Sequence, residues 1–449
     1  MNEEIFREYD IRGIVPKDIN DTTSYIIGKA FASYISDKKV IIGHDNRLSS
    51  NNISNNLVKG LLECGANITD LGLCTTPMYY AMKKHLNIQN GIMITASHNP
   101  KEYNGFKISF DIIGNAYGKM ITDFKDFTLK GNFKKGIGSY KKISSEEYYL
   151  NLIKNSIHLG NQKIKVVVDT GNGTGSIIIK KVLDLFSNIE YKLINEISDG
   201  SFPNHHPDPC EPENMIELGN TVKSLGYDLG IGIDGDADRV GVVDENGLFV
   251  PADKVMIILY KYLHKNFKVR KAIMDVKCSK ALIDETKKLN LPLEIYRTGN
   301  SYMNKRIHEL KLDFGGEFSG HLWFLDKWPG FDDGIYAGLR IIELLSKENI
   351  SIAKEVDKMP KYYNTPEIKI PVADNKKDDV VNKVKLYLDN KKIKYNDIDG
   401  IRVDFPDGFI LIRKSNTGPN LTVRFEKQNK EELEKIKNEY LELIDKIKG

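Results

Sequence analysis

Three times along this chain, a short apolar stretch ends in an aspartate and is followed by a helical pattern. Each stretch is interpreted as a strand, and after each helix a second strand ends in a polar loop. The intervals between these points are unequal, which indicates a repeat of architecture rather than of sequence. The three junctions are residues 40–43 before Asp45, residues 165–168 before Asp169, and residues 272–274 before Asp275.

This repeat predicts three related α/β units, with their polar loops at the carboxyl ends of strands, where open α/β sheets bind ligands. The chain has 449 residues, well beyond the ~250–300 at which a single core stops growing. A shift of composition over residues 357–365 marks a last boundary, after which short strands mix with helices. Before it, Asp332 or Asp333 is placed to cap an apolar helix over residues 335–345.

The first informative polar loop is residues 95–100, Thr-Ala-Ser-His-Asn-Pro, which follows the apolar run 91–94. That run is too short for a helix and is bounded by turn formers, so it is interpreted as a buried strand that delivers Ser97 to a loop. A serine in this position can be a nucleophile. The alternative is that Ser97 and Asn99 only close a turn before Pro100.

The second loop carries three carboxylates at alternate positions, Asp234, Asp236 and Asp238, directly after the strand over 229–233. The small residues between them let the loop curl around one hard divalent cation. Magnesium suits this set best, because it accepts a few carboxylates and keeps positions for phosphate oxygens. A phosphatase that uses Asp234 as its nucleophile, or a solvated acidic turn, would be the alternative.

Two further loops offer polar groups, one suited to hydroxyls and one to phosphate. Glu317, Ser319 and His321 alternate between glycines and suit vicinal hydroxyls. Residues 413–420, with Arg424 after them, concentrate cationic, hydroxyl and amide side chains beside a glycine turn, which suits a phosphate that does not react. A charged surface hairpin explains this last loop equally well.

Composition excludes several classes of protein. With 65 basic and 62 acidic residues the net charge is +3, which leaves no basic footprint for nucleic acid. No apolar run approaches the ~18 residues needed to span a membrane, and the four scattered cysteines are typical of reduced thiols. We therefore expect a cytoplasmic protein with no nucleic-acid or membrane partner. The run 171–176 lacks the third glycine of a dinucleotide fingerprint, and no P-loop occurs.

Together these loops resemble the motifs of the α-D-phosphohexomutases, and most closely the bacterial phosphomannomutase/phosphoglucomutase branch. The similarity covers the whole chain and follows the family's order. The motifs are TASHNP at 95–100, DGDADR at 234–239, GEFSGH at 316–321 and RKSNTGPN at 413–420, with FREYDIRG at 6–13, YNGFK at 103–107 and FPNHHPDP at 202–209 in support.

The resemblance implies four domains around a central cleft: three related α/β domains with mixed sheets and a smaller C-terminal α+β domain. They are expected to carry, in order, the phosphoserine loop, the metal loop, the sugar-binding loop and the phosphate-binding loop. The expected boundaries are 1–140, 141–248, 249–358 and 359–449. We expect a monomer or a weak dimer that binds a small hexose phosphate.

The implied activity moves a phosphoryl group between positions 1 and 6 of mannose or glucose phosphate, through phosphoserine and a hexose 1,6-bisphosphate that also activates the enzyme. Ser97 would carry the phosphoryl group and, with Asp234, Asp236 and Asp238, bind Mg²⁺. The other catalytic residues implied are Arg12, His98, Lys107 and Arg239. The substrate-binding residues implied are Tyr9, Arg297, Asn300, Glu317, Ser319, His321, Arg413, Ser415, Asn416, Thr417 and Arg424.

Two residues depart from the family's pattern. In the run 296–300, Arg297 and Asn300 stand where this branch usually has lysine and histidine. Arginine can still bind phosphate, but asparagine cannot carry a proton. The preferred sugar therefore stays open, and phosphoglucosamine mutase is the nearest alternative. A metal-dependent sugar phosphatase and a noncatalytic sugar-phosphate sensor are the alternatives from other classes.

Overall fold

In the computed structural model, which describes residues 1–267, 269–415 and 418–448, helices alternate with strands over most of the chain. Asn416 and Thr417 of the expected phosphate loop lie outside the described residues. The chain divides into two units, each described by itself. Unit 1 comprises Met1–Ala252, Asn300–Phe314 and Ser319–Glu355, and unit 2 comprises Asp253–Gly299, Gly315–Phe318 and Val356–Gly449.

The first part of unit 1 is built on a mixed sheet. Its elements are β1 (Ile11–Ile14), α1 (Asp21–Tyr34), β2 (Lys39–His44), α2 (Ser50–Glu63), β3 (Asn67–Leu73), α3 (Thr76–His85), β4 (Asn90–Ile94), β5 (Tyr103–Ser109), α4 (Lys119–Lys130), β6 (Ser139–Lys142) and α5 (Glu146–Ser156). The strand order is β1-β5-β4-β2-β3-β6. Strand β4 is parallel to β2 and antiparallel to β5. The loops after β2 and β4 therefore leave the same edge of the sheet.

Helices α1 and α2 cross at backbone contact. A Cβ atom at Gly28 would lie 2.2 Å from the carbonyl oxygen of Leu57, and one at Gly60 would lie 2.1 Å from that of Tyr25. Helix α1 begins after Asn20, whose side chain accepts a hydrogen bond from the backbone N–H of Thr23. The two helices cover one core of the sheet, which includes the fully buried Phe31.

A second mixed sheet completes the main body of unit 1. Its elements are β7 (Ile164–Asp169), α6 (Ile179–Leu183), β8 (Ile189–Ile194), α7 (Ile216–Leu225), β9 (Leu229–Ile233), β10 (Val240–Val243) and β11 (Phe249–Val250), in the strand order β11-β10-β9-β7-β8. Strand β7 is parallel to β8 and β9, and β9 is antiparallel to β10. Every residue of β9 is buried, and this strand ends directly before Asp234.

The third part of the chain contributes to both units. Its elements are α8 (Ala252–Phe267), β12 (Ala272–Asp275), α9 (Lys280–Lys288), β13 (Leu293–Tyr296), α10 (Asn300–Leu310), β14 (Phe314–Gly316), β15 (Leu322–Phe324), α11 (Gly334–Lys347) and α12 (Ile352–Asp357). Within unit 2, β12 is parallel to β13 and pairs with Gly316 at Met274. Asp333 is the residue that caps α11, since its side chain accepts from the N–H of Tyr336.

The C-terminal part of unit 2 is an antiparallel sheet covered by two helices. Its elements are β16 (Tyr363–Asn364), β17 (Ile368–Pro371), α13 (Lys377–Asn390), β18 (Ile401–Phe405), β19 (Gly408–Lys414), β20 (Asn420–Lys427) and α14 (Lys430–Lys448). The order is β16-β20-β19-β18, with β17 also paired to β20. Helix α14 buries Leu433, Tyr440 and Ile444. The expected fold class, mixed-sheet α/β domains followed by an α+β domain, is thereby confirmed.

Among the described residues, no helix is both long enough and apolar enough to cross a membrane.

Candidate active site

Ser97 lies in the loop after β4 and is almost fully buried, with 2% of its surface exposed. Its φ of 49° places it in the left-handed region, where residues other than glycine are uncommon. Its N–H donates to Thr95 Oγ1 at 2.8 Å, and its hydroxyl donates to Asp234 Oδ2 at 2.8 Å. The Nδ1 atom of His98 lies 3.3 Å from the same hydroxyl. Such strained positions cluster at functional sites.

The buried side chain of Arg47, just beyond β2, holds the Ser97 loop in this conformation. Its Nε lies 3.2 Å from Asp45 Oδ2, which orients the guanidinium. The two terminal nitrogens donate to four backbone carbonyl oxygens, those of Ser97 at 2.7 Å, Asn99 at 2.6 Å, Pro100 at 2.7 Å and Tyr103 at 3.1 Å. Sequence reasoning missed this role, although a basic residue two positions after a strand-end aspartate was a visible signal.

The aspartate loop approaches the Ser97 loop closely because Gly235 has no side chain. A Cβ atom at Gly235 would lie 2.5 Å from the carbonyl oxygen of Ser97. The loop itself is closed by Asp234 Oδ1, which accepts from the N–H groups of Asp238 at 2.9 Å and Arg239 at 3.1 Å. One carboxylate oxygen of Asp234 therefore shapes the loop, and the other faces Ser97.

Lys107 on β5 is the cation nearest to the aspartates. Its Nζ lies 2.7 Å from Asp236 Oδ2 and 2.5 Å from Asp238 Oδ2. The same oxygen of Asp236 accepts from the hydroxyls of Thr76 at 2.6 Å and Thr95 at 3.1 Å. Thr76 opens α3, so the positive end of that helix also faces the cluster.

The electrostatics follow from burying three carboxylates beside one lysine. Burial, and then Asp238 and Asp236, raise the pKa of Asp234 well above its usual range. Burial opposes ionisation of Asp236 as well, but Lys107 and the threonine hydroxyls hold its pKa below its usual range. Burial lowers the pKa of Lys107, yet the two carboxylates outweigh it and raise that pKa well above its ordinary value.

Two carboxylate oxygens of the aspartate cluster are available as metal ligands. The Oδ1 atoms of Asp236 and Asp238 are buried and have no hydrogen-bond partner within the described part of the chain. One carboxylate oxygen from each of the three aspartates lies within 4.8 Å of the others. Unpaired buried carboxylate oxygens are costly, and a hard divalent cation prefers such ligands. The donor set therefore fits Mg²⁺.

Three more of the expected catalytic residues lie around Ser97. Arg12 donates to Asn99 Oδ1 at 2.8 Å and pairs with Asp10 at 2.5 Å. Burial, and then the charges of Arg239 and Arg12, lower the pKa of His98 well below its usual range, so His98 is neutral near pH 7. Arg239 Nε lies 3.9 Å from Asp234 Oδ2.

The expected substrate-binding residues of unit 1 have the following contacts. The ring of Tyr9 packs edge-on against Tyr302, with centroids 5.9 Å apart. The carbonyl of Ser319 accepts from Cys210 Sγ at 2.9 Å. Arg239 Nε donates to His321 Nε2 at 3.0 Å.

In unit 2, Glu317 and Arg413 are fixed by neighbouring polar groups. Glu317 Oε1 accepts from the N–H of Gly299 at 2.6 Å. Arg413 makes two contacts to Asp399 Oδ2, at 3.1 Å from Nε and 2.9 Å from Nη2. The same oxygen of Asp399 accepts from the N–H of Thr298 at 3.1 Å, which ties the loop that contains Arg297 to the strand that carries Arg413.

Arg424 and Lys277 meet at the ring of Phe318 in unit 2. The guanidinium of Arg424 lies 4.0 Å from the ring centroid, and Lys277 Nζ lies 5.8 Å from it. Lys277 also pairs with Glu367 at 3.1 Å. Lys277 follows strand-end Asp275 at the same spacing at which Arg47 follows Asp45. The carbonyl of Ser415 accepts from Lys377 Nζ at 2.8 Å.

Comparison with known proteins gives matches along nearly the whole chain. Four family models match in order: the phosphoglucomutase/phosphomannomutase alpha/beta/alpha domains I, II and III at residues 3–124, 147–247 and 251–363, and the C-terminal domain at residues 367–443.

Individual relatives match equally broadly. The phosphomannomutase/phosphoglucomutase of Pseudomonas aeruginosa is 36% identical over 438 residues, covering 96% of this chain and 94% of that protein. The phosphoglucomutase of Neisseria gonorrhoeae is 34% identical over 457 residues, covering 99% and 97%. A crystal structure of a phosphoglucomutase/phosphomannomutase family protein from Burkholderia thailandensis has a TM-score of 0.90 at 29% identity, covering 100% of this chain and 98% of that one.

Arg47→Met should destabilise the protein strongly, because it leaves Asp45 and the loop carbonyls without their buried donor. We expect the free energy of unfolding to fall by about 3–5 kcal/mol, the usual range for removing one partner of a buried ion pair. Urea denaturation followed by tryptophan fluorescence measures this change.

The matched control is Arg306→Met, since the Arg306 side chain is 32% exposed and forms a surface pair with Glu309. That change should cost less than about 1 kcal/mol. Equal costs for the two variants would contradict the role given to Arg47.

Proposed function

Because the chain belongs to the phosphoglucomutase/phosphomannomutase family, the α-D-phosphohexomutases, it is a hexose phosphate mutase, and we propose that Ser97 carries its phosphoryl group. The observation that supports this proposal best is the hydrogen bond from the Ser97 hydroxyl to Asp234, 2.8 Å long, inside a buried carboxylate cluster. A phosphatase or a sensor built on this fold is less consistent with the family's named activities.

In the proposed reaction, the 6-hydroxyl of a hexose 1-phosphate attacks the phosphorus of phosphorylated Ser97. The bond from phosphorus to Ser97 Oγ breaks as the bond to the sugar oxygen forms, and a hexose 1,6-bisphosphate results. The intermediate then turns over and returns its other phosphoryl group to Ser97, leaving hexose 6-phosphate. In the first transfer the sugar 6-hydroxyl loses a proton and Ser97 Oγ gains one. In the second the Ser97 hydroxyl loses a proton and the sugar 1-oxygen gains one, again at the Ser97 site near Arg12, Lys107 and Arg239.

We propose that Asp234, Asp236 and Asp238 hold Mg²⁺, with Ser97 as a further ligand. When bound, the ion supplies positive charge that stabilises the charge developing on the transferred phosphoryl group. A phosphoserine carries roughly −1.5 to −2 charges, so three carboxylates beside it need this compensation. Lys107 supplies part of it from within the protein, through its two ion pairs to the cluster.

The remaining residues around Ser97 have supporting roles in this proposal. Arg12 and Arg239 neutralise phosphoryl charge and assist proton transfer. His98, kept neutral by burial and by its cationic neighbours, supports the phosphoserine through its ring nitrogen.

For the sugar, we propose that Glu317 and Ser319 bind the 3- and 4-hydroxyls. A loop that reads only these groups cannot distinguish glucose from mannose, which differ at C2, so both sugars should be accepted. Arg297 and Asn300 replace the lysine and histidine usual in this branch and are the positions at which an amino sugar could be preferred instead.

We propose that the phosphate that does not react is bound by basic and hydroxyl groups of unit 2. Lys277 is a further candidate, because it lies against the same Phe318 ring as Arg424. The residues proposed from the sequence are Arg413, Ser415, Asn416, Thr417 and Arg424, with Tyr9 and His321 from unit 1 as further substrate-binding residues.

We also propose the activator, the domain boundaries, the compartment and the oligomeric state. The hexose 1,6-bisphosphate also acts as the activator that rephosphorylates Ser97. The domain boundaries are those proposed above, 1–140, 141–248, 249–358 and 359–449. The protein works in the cytoplasm as a monomer or weak dimer with only small-molecule partners, and its cysteines, all free, are consistent with that compartment.

The proposal is tested by a ³¹P NMR time course with glucose 1-phosphate or mannose 1-phosphate, Mg²⁺ and a trace of the bisphosphate. Wild type should form the 6-phosphate without free phosphate, and Ser97→Ala should form none because it lacks the phosphoryl acceptor. The control is Ser33→Ala, at a buried serine in α1, which should keep the wild-type rate.

Other outcomes of this time course separate the alternatives. Free phosphate released at the rate of substrate loss would identify a phosphatase. If the time course is repeated with glucosamine 6-phosphate, turnover far above that of the neutral sugars would identify a phosphoglucosamine mutase. Sugar phosphate binding without any turnover would favour a sensor and refute the mutase proposal.

Magnesium binding should depend on the carboxylates of the cluster. By isothermal titration calorimetry, Asp236→Asn should bind Mg²⁺ at least about tenfold more weakly than wild type, since it loses one charged ligand. Asp244→Asn is the control, because Asp244 is an equally buried aspartate that closes the turn after β10. Unchanged affinity in Asp236→Asn would contradict the proposed metal site.

A further inference from the structure

Asp332 lies one residue before the helix cap Asp333 and is fully buried, yet it does not cap α11. Its Oδ2 instead faces two side chains of unit 1. It lies 2.7 Å from His321 Nδ1, and it accepts a hydrogen bond from the Asn300 amide. The backbone of Asp332 is itself held by an antiparallel bridge to Trp323. Helix capping therefore does not explain why the Asp332 carboxylate is buried at this position.

The hydrogen bonds of His321 determine its tautomer. Arg239 Nε always carries a proton and donates it to His321 Nε2 at 3.0 Å. That ring nitrogen must therefore offer a lone pair. The neutral ring then carries its one proton on Nδ1, where Asp332 accepts it. The order of hydrogen bonds is thus Arg239 to His321 to Asp332, each group donating to the next.

We propose that Asp332 is a positioning residue for the mutase reaction, acting through His321 on Arg239. The inference rests on the proposed function, in which Arg239 neutralises the charge of the reacting phosphoryl group. Asp332 fixes the tautomer and orientation of the His321 ring, and His321 Nε2 then fixes the rotation of the planar guanidinium about its Nε bond. The guanidinium is thereby oriented beside Asp234 without substrate.

Asn300 fits into the same arrangement. Its amide nitrogen lies 3.3 Å from His321 Nδ1 and donates to Asp332 Oδ2. The Asn300 amide and the protonated His321 Nδ1 are both hydrogen-bond donors. They can lie this close because Asp332 Oδ2 accepts a hydrogen bond from each. The asparagine at this position therefore holds the Asp332 carboxylate in place with a group that has no titratable proton.

The same contacts exclude a metal-binding interpretation of this cluster. Asp238, His321 and Asp332 do place ligand atoms within 4.8 Å of one another. A metal ion there would need the lone pair of His321 Nδ1, but that nitrogen carries the proton while Arg239 occupies Nε2.

The test compares Asp332→Asn with Asp333→Asn in steady-state kinetics with glucose 1-phosphate. An asparagine at 332 can present N–H groups to the ring and so favours the wrong tautomer. We expect kcat to fall by about tenfold to a hundredfold, the range known for carboxylates that orient a metal-binding histidine, while KM changes by less than about twofold. Asp333→Asn alters the adjacent helix cap and should leave kcat within about twofold of wild type.

A second readout does not depend on activity. In ¹⁵N-histidine-labelled wild type, the His321 resonances, identified by their loss in His321→Gln, should show a protonated Nδ1 and an unprotonated Nε2. In Asp332→Asn this pattern should be lost, and in Asp333→Asn it should be kept. The wild-type spectrum decides the tautomer even if Asp332→Asn does not fold.

Three results would overturn the inference. An Nε2-protonated or doubly protonated His321 in active wild type would refute it while leaving the mutase proposal intact. Equal kcat losses in Asp332→Asn and Asp333→Asn would reduce Asp332 to a structural role. A wild type that binds sugar phosphate but shows no mutase turnover would refute the proposed function, and this inference with it.

Discussion

The ion pairs between Lys107 and the buried carboxylates of Asp236 and Asp238 are the interaction on which the rest of the site depends. Three carboxylates without solvent would be prohibitive to bury alone. The lysine comes from β5 and the aspartates from the loop after β9, so the charge compensation joins the two sheets of unit 1. One lysine does not balance three carboxylates. The carboxylate oxygens that have no hydrogen-bond partner among the described residues are ones that a divalent cation can bind.

Around this charge cluster, the backbone is arranged to bring one hydroxyl against it. Arg47 holds the Ser97 loop by its carbonyls, and Gly235 lets the aspartate loop lie against that loop. The left-handed conformation of Ser97 is maintained by these contacts rather than by local preference. These contacts hold the Ser97 hydroxyl in place without substrate, and positioning of this kind supplies much of the rate of phosphoryl transfer enzymes.

Much of this arrangement could be predicted from the sequence because its signals are local. The short strands before Ser97 and Asp234, and the alternating carboxylates, are visible in single stretches of the chain. The spacing of Arg47 after Asp45 indicates an ion pair, but the backbone carbonyls that Arg47 also binds cannot be identified from the sequence. The sequence also does not show which of Asp332 and Asp333 caps α11. Asp332 instead contacts His321 and Asn300, and these contacts come only from the tertiary structure.

Transfer of the phosphoryl group from Ser97 itself to the sugar can be followed with labelled enzyme. Enzyme carrying ³²P on Ser97 is isolated, freed of small molecules, and mixed with excess unlabelled glucose 1-phosphate and Mg²⁺, and the labelled products are separated after quenching. If Ser97 is the phosphoryl donor, the label should leave the protein and appear in glucose 1,6-bisphosphate and glucose 6-phosphate. Label that stays on the protein during turnover, or that leaves only as inorganic phosphate, would contradict it.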